Sequence, residues 1–296
     1  MTLTGGSCCC PICQSGSRHY VAAPGWGEMR SCLSCGFVFA NPMVSPDSPA
    51  ELFARAYLGD ESRAGVKIEK VLAPVHRTAI AFLRANIPLG SCIFDIGCGV
   101  GFFLKAVRQS GYNAFGLEVA KPAVELLQKE GYPVWNGTID TMPADWVKPR
   151  VCTVFFVLHH IPDPVAFLST IRKKFPEAIL ILSQYLTKGI EDVEDCDTGR
   201  SFPPRNFSWW KQNTIRLAME KAGYLTEILE QEQGGIYVPG RVYLGIRKHA
   251  RVAMPWLVAA YYSIKPLRIM TDYCNLLLTP TKGKRSRSLL AIGRPI

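Results

Sequence analysis

Apolar and polar positions along the chain fall into two alternating periods. Cys92–Asp95, Asn113–Leu117, Val151–Leu158 and Ala178–Tyr185 are short, nearly continuous apolar runs. Such runs predict strands buried on both faces of a parallel sheet. Between them lie segments of helical period. FFLKAVRQS follows the first run and stops at Gly111, a residue suited to a helix C-terminus. Lys121–Pro122 opens another helix, with proline at a permitted first position, and Gly131 closes it. Asp163 stands before Pro164 and VAFLSTIRKKF, as an N-cap would. Upstream, Lys67–Ala85 carries apolar residues at Ile68, Val71, Leu72, Val75, Ala79, Ile80 and Leu83, which predicts a long helix with His76 on its surface or at an interface. Ala50–Tyr57 is a shorter helical pattern. PVWNG, Tyr224–Leu229 and Ser288–Gly293 read as further strands, and Gln212–Lys221 as a helix.

Composition bounds this picture. The chain has 296 residues, 48% of them hydrophobic, which is enough for one large domain and a small one. The opening MTLTGGSCCC lacks a basic segment followed by an apolar core, so no signal peptide is expected, and no apolar run is long enough to span a bilayer. A cytoplasmic location is the default. The net charge of +10 favours anionic partners, among them RNA, phosphorylated or nucleotide-linked substrates and anionic membrane surfaces. Part of that excess is local, because Lys282–Arg287 holds four cations in six residues.

Six of the eleven cysteines lie in the first 35 residues. Cys10-x-x-Cys13 and Cys32-x-x-Cys35 are separated by 18 residues, the spacing of a four-thiolate zinc site. Four sulfurs close a tetrahedron, so the expected ion is structural Zn2+ rather than catalytic. Cys8 and Cys9 are alternatives to Cys10, but only Cys10 gives the two-residue gap. A module this poor in apolar residues is expected to need the metal to fold. Pro42, Pro46 and Pro49 mark a linker behind it. The resulting division is residues 1–45 zinc ribbon, 46–90 linker and leading helices, and 91–296 the main domain.

The chemistry centres on CIFDIGCGVG. After Asp95, Gly97, Gly99 and Gly101 fall at alternate positions, and Phe102 stands where a dinucleotide fingerprint needs its third glycine. The Asp95 carboxylate suits a ligand carrying a cationic group, and Glu118, at the end of the next apolar run, suits ribose hydroxyls. Asp95-x-Gly97-x-Gly99-x-Gly101 with Glu118 resembles the cofactor loop of class I S-adenosylmethionine-dependent methyltransferases. The whole chain resembles bacterial members that carry an N-terminal zinc ribbon. The resemblance implies an α/β fold: a Rossmann-like, seven-stranded, mostly parallel sheet with helices on both faces, preceded by the small ribbon. It implies S-adenosylmethionine as cofactor. It assigns Thr138 and Ile139 to the adenine loop, although most relatives are acidic where Thr138 stands, and Tyr57 to closure over the methionine carboxylate. His159-His160-Ile161-Pro162-Asp163-Pro164 resembles the motif that faces the cleft, so His160 and His159 are the candidate bases for an oxygen or carbon acceptor.

The implied activity is methylation of a small molecule such as a sugar, a glycan precursor or a specialised metabolite. Two rival readings remain: an RNA or protein methyltransferase that uses the ribbon as reader, and a non-catalytic scaffold. Residues 234–287 form an insertion before the last strand. Within it, Val252–Ile264 and Leu267–Leu278 are apolar helical runs that suit a buried hairpin, a homodimer interface, a substrate pocket or a peripheral membrane contact through 252–278. Ile190–Asp197 reads as an acidic loop over the active site.

Overall fold

A computed structural model describes residues 9–23, 25–43, 50–51, 53, 72–143, 145–187, 201–233 and 287–296. Tyr57, the acidic loop, the insertion and residues 67–71 of the expected leading helix lie outside the described residues; Leu72 and Ala73 are not helical, and the helix begins at Pro74, where proline suits the first turn. Three strands come first: β1 (Ser17–Ala23), β2 (Gly27–Cys32) and β3 (Val38–Asn41). Helix α1 (Pro74–Asn86) leads into β4 (Cys92–Ile96), α2 (Phe102–Gln109), β5 (Asn113–Glu118), α3 (Lys121–Lys129) and β6 (Val134–Asn136). Then come β7 (Val151–Phe155), a one-turn 3-10 segment at Leu158–His160, α4 (Pro164–Lys174) and β8 (Ile179–Leu186). The last elements are β9 (Ser208–Trp209), α5 (Gln212–Lys221), β10 (Tyr224–Gln233) and β11 (Arg287–Pro295).

Seven strands form one sheet in the order β10-β11-β8-β7-β4-β5-β6. The pairs from β8 to β6 are parallel, and β11 runs antiparallel to both β8 and β10. This is the mostly parallel Rossmann-like sheet that the resemblance implies. Alternate residues of each central strand enter opposite cores, as the two-residue pleat requires. Phe94, Cys152, Val154, Leu180 and Leu182 face one side with α4 and α5, and Ile93, Val151, Phe155 and Ile181 face the other with α1, α2 and α3. Both faces are buried, which is why these strands read as unbroken apolar runs.

One strand boundary and one side-chain environment differ from expectation. The run Val151–Leu158 leaves the sheet after Phe155. Phe156 takes a left-handed φ of 57°, its N–H donates to the Ser183 carbonyl at 2.9 Å, and the chain turns into the 3-10 segment. His76, expected at a surface or interface, is instead packed among Phe103, Phe155 and Phe156, with ring centroids 4.7–6.1 Å away. Asp163 caps α4 as expected, accepting the Ala166 N–H at 2.9 Å.

A second sheet has the order β1-β2-β3-β9. Its fourth strand comes from the far side of the sequence, so the cysteine-bearing hairpin is completed by the main domain. Phe37 and Phe39 join the same core as Phe94, Leu180 and Trp210. Apolar residues around the cysteine-bearing strands are thus supplied by later parts of the chain.

Candidate cofactor and transfer site

Sites in open parallel sheets form beyond the carboxyl ends of the strands. β4 ends at Ile96, and the chain turns through Gly97, Gly99 and Gly101 at φ values of 75°, 54° and 79°. A Cβ on Gly97 would come within 2.6 Å of a Val157 methyl, and one on Gly101 within 2.5 Å of a Leu127 methyl. Glycine therefore serves backbone conformation and close packing at once. The loop is held to β5 by Gly97 and Cys98 N–H bonds to the Leu117 carbonyl at 2.8 and 3.1 Å.

Two carboxyl groups flank this turn, both at most 5% exposed. Asp95 accepts the Thr153 hydroxyl at 2.7 Å. Burial pushes its pKa up to about 7; the Thr153 bond opposes this and the nearby Glu118 adds to it. Glu118 accepts the Gly99 N–H at 2.8 Å on one oxygen and the Ala120 N–H at 2.9 Å on the other, and burial raises its pKa as well. Each carboxylate oxygen can accept a further bond. Two buried acids share this turn with no ion-pair partner among the described residues, an arrangement that a cationic ligand with hydroxyl groups would satisfy. The residues present therefore fit S-adenosylmethionine.

The chain past β6 is tied to the same place. Gly137 N–H donates to the Glu118 carbonyl at 3.1 Å, and Asn136 Nδ2–H to the same oxygen at 3.0 Å. Thr138 is exposed beside this junction. Ile139 sends its side chain into the core, and its carbonyl accepts Lys174 Nζ.

The histidine pair follows β7, two residues beyond the Val157 that packs on Gly97. Gln184 Nε2 lies 2.7 Å from His159 Nδ1, and with the amide in this orientation its N–H donates to the ring and the imidazole proton sits on Nε2. His160 Nδ1–H donates to the Arg205 carbonyl at 2.6 Å, which leaves Nε2 as a lone-pair acceptor. The two rings lie 3.9 Å apart and play opposite roles, one a donor and one an acceptor. Burial holds the pKa of His160 down near about 4 and that of His159 well below the ordinary imidazole range. Both are neutral at physiological pH.

Asp95, Gly97, Gly99, Gly101 and Glu118 thus meet at one turn, Thr138 stands at its rim, and the histidines sit past the adjoining strand. Sequence reasoning missed Thr153, Gln184 and Arg205. Thr153 and Gln184 were findable as polar residues inside otherwise apolar strands. Arg205 acts through its carbonyl and leaves no signal in the sequence.

In the N-terminal module, the Sγ atoms of Cys10, Cys13, Cys32 and Cys35 all lie within 4.8 Å of one another. Three of the pairs are 3.4, 3.6 and 3.7 Å apart. A zinc ion with sulfurs at 2.3 Å places them about 3.8 Å apart, so the set fits that ion. Ser34 and Cys35 N–H groups point at Cys32 Sγ, each at 3.4 Å, and the Ile12 N–H points at Cys10 Sγ at 3.4 Å.

Residues 69–227, more than half of the chain, match the family described as a methyltransferase domain. The chain belongs to that family. It carries a methyltransferase domain. The ubiquinone biosynthesis O-methyltransferase of Actinobacillus pleuropneumoniae serotype 7 is 26% identical to this methyltransferase over 114 residues, covering 34% of this chain and 48% of the relative. That of Haemophilus ducreyi is 25% identical over 114 residues with the same coverage. The chain spans about half the length of the curated relatives it matches. Among solved structures, a putative sarcosine dimethylglycine methyltransferase from Galdieria sulphuraria superposes with a TM-score of 0.52 at 12% identity, covering 82% of this chain and 98% of that one. The YcgJ protein of Bacillus subtilis gives 0.50 at 14%, covering 75% and 97%. At these identities the likeness is one of fold. Among the described residues, no helix of the methyltransferase is long and apolar enough to cross a membrane.

Proposed function

We propose that this methyltransferase methylates a hydroxyl oxygen of a small molecule. The observation that carries the reading is that the Asp95–Glu118 turn and the turn bearing His160 follow the carboxyl ends of the paired strands β4 and β7, with Val157 of the second packed on Gly97 of the first. The partial likeness to two O-methyltransferases supports an oxygen acceptor. In this reading Asp95 and the loop of Gly97, Gly99 and Gly101 receive the amino-acid end of the cofactor. Glu118 receives the ribose, and Thr138 and Ile139 border the adenine, with Tyr57 closing from the leading segment. When bound, S-adenosylmethionine supplies an already activated methyl group, so the protein's main tasks are alignment and water exclusion. His160 accepts the acceptor's hydroxyl proton at Nε2, and His159 donates a hydrogen bond from its own Nε2 to the acceptor. Cys10, Cys13, Cys32 and Cys35 hold a structural zinc ion in this reading, and residues 1–45, 46–90 and 91–296 act as ribbon, connection and methyltransferase domain.

The test is calorimetric titration with S-adenosylmethionine and S-adenosylhomocysteine, for the wild type and Asp95→Asn, with far-ultraviolet circular dichroism to show that both are folded. Binding weakened in the variant supports the assignment. It is followed by transfer of a tritiated methyl group to small hydroxylated acceptors, RNA and protein in parallel. Label appearing in RNA or protein, and in none of the small acceptors, would overturn the small-molecule reading.

A further inference from the structure

We infer that the cysteine ribbon is a positioning element of the transfer site: through β9 it fixes the turn that bears His159 and His160. The inference rests on the transfer-site reading above. It begins with how little that turn holds for itself. A single 3-10 turn contributes the His160 N–H bond to Val157 and the Ile161 N–H bond to Leu158, at 2.9 and 3.1 Å. Neither bond orients an imidazole ring. The bonds that do come from outside.

One set comes from the segment around β9. Phe207 N–H donates to the His159 carbonyl at 2.7 Å, and the Arg205 carbonyl takes the His160 ring proton. That segment is in turn clamped by the ribbon. Ala40 N–H donates to the Phe207 carbonyl at 2.8 Å, and β3 pairs with β9 in the register Val38 to Trp209 and Phe39 to Ser208. Both faces of β3 grip it. Val38 and Ala40 pack with Phe202, Phe207 and Trp209, while the buried Phe37 lies against Trp210 at 4.7 Å between ring centroids. β3 starts directly behind the second cysteine knuckle, where Cys32 N–H bonds the Phe37 carbonyl at 2.8 Å. The Cys35 carbonyl also accepts Asn213 Nδ2–H at 3.1 Å, which fixes the knuckle to α5. The second outside set comes from β8, through Gln184 on His159. That strand's end is also tied to the segment, since Thr187 N–H donates to the Trp210 carbonyl at 2.9 Å. A path of hydrogen bonds a few residues long therefore runs from the cysteines to the histidines.

The cofactor turn shares the hydrophobic core with the ribbon but is held by its own hydrogen bonds. Among the described residues, the hydrogen bonds of Asp95, Gly97, Gly99 and Glu118 outside the sheet ladder go to Thr153, Leu117, Cys98, Ala120, Asn136, Gly137 and one another, and none goes to the ribbon or to residues 201–210. In small cysteine modules the energy of metal binding is largely the energy of ordering. Withdrawing the ion should loosen β3, then residues 205–209, then the histidines, and leave the cofactor turn in place.

The experiment uses the full-length protein, isotopically labelled, with metal, after extraction by 1,10-phenanthroline, and after return of zinc or cadmium. Two protons are followed by exchange with solvent: the Phe207 amide and the His160 Nδ1–H. Affinity for S-adenosylhomocysteine is measured alongside. Both protons should exchange at least about tenfold faster without metal, as expected when local opening becomes easier. Affinity for S-adenosylhomocysteine should change by less than about threefold, and either ion should restore protection. Phe37→Leu keeps all four cysteines and should speed exchange of the same two protons with the metal still bound. Unchanged protection in both the metal-free protein and Phe37→Leu overturns the inference. So does loss of S-adenosylhomocysteine binding in step with protection, which marks general unfolding. Absence of that binding in the metal-loaded wild type would instead strike the methyl-transfer reading, and the exchange result would still stand on its own.

Discussion

Asp95 is a carboxyl group that a buried site keeps protonated up to about pH 7. A cationic ligand binds the ionised form, so below that pH binding must first release a proton. Affinity for S-adenosylmethionine should therefore weaken by about tenfold for each pH unit below 7 and level off above it, one pKa unit corresponding to 1.36 kcal/mol. Calorimetry from pH 5.5 to 8.5 in buffers of different ionisation heat would show the slope and the proton released. A flat profile would remove Asp95 from the cofactor's charged end. The residue itself was legible in the sequence, since an acid that ends an apolar run and directly precedes three spaced glycines is placed at a strand end beside a tight turn. The bond from Thr153 was not legible: 58 positions separate the pair, and only the β4–β7 register brings them together.

Among the elements, the turn from β4 into α2 is the most constrained. Gly101 sits at φ 79°, and a methyl group there would lie 2.5 Å from Leu127 on α3. Gly101→Ala should cost about 1–3 kcal/mol through backbone strain and displaced packing. Urea unfolding of the variant checks this; a loss under 0.5 kcal/mol, on the order of an ordinary surface change, would mean that Leu127 moves aside freely. The central strands and their helices were legible because burial on both faces leaves an apolar run that no solvent-facing residue interrupts. β9 was not. Ser208 and Trp209 carry no period of their own, and their partners Phe39 and Val38 lie some 170 residues earlier, so only tertiary pairing makes a strand of them. The 3-10 turn was hidden for a similar reason, because nothing in VCTVFFVL announces that Phe156 adopts a left-handed conformation.

For the molecule as a whole, buried titratable groups set how stability responds to pH, and they act in opposite directions. His76 and His160 are shifted from 6.5 to about 4, and His159 is lowered too, each first by burial. Between those values the unfolded chain binds protons that the native chain refuses, so stability falls as pH drops from 6.5 towards 4. Asp95, shifted from 3.8 to about 7, does the reverse, binding its proton in the native state and losing stability as pH rises through that window. Glu118 is raised as well and acts with Asp95. Three imidazoles outweigh two carboxyls, and melting temperature should decline from pH 7 to pH 5. Among the described residues, His76 Nδ1 is buried without a hydrogen-bond partner. His76→Leu should therefore raise stability at neutral pH by about 1–3 kcal/mol and flatten the acid decline. Differential scanning fluorimetry at pH 5, 6 and 7 would test both, and an unchanged decline in the variant would exclude His76 as a source. The order of strands carries one more consequence, for how the chain is made. β11 lies between β8 and β10 in the sheet yet follows both in sequence, more than fifty residues after β10 ends. While the nascent chain is emerging, β8 waits with an open row of backbone donors and acceptors that β10 never covers. Residues 287–295 must thread in last, so the growing chain's exposure to edge-to-edge misassociation ends only with their arrival.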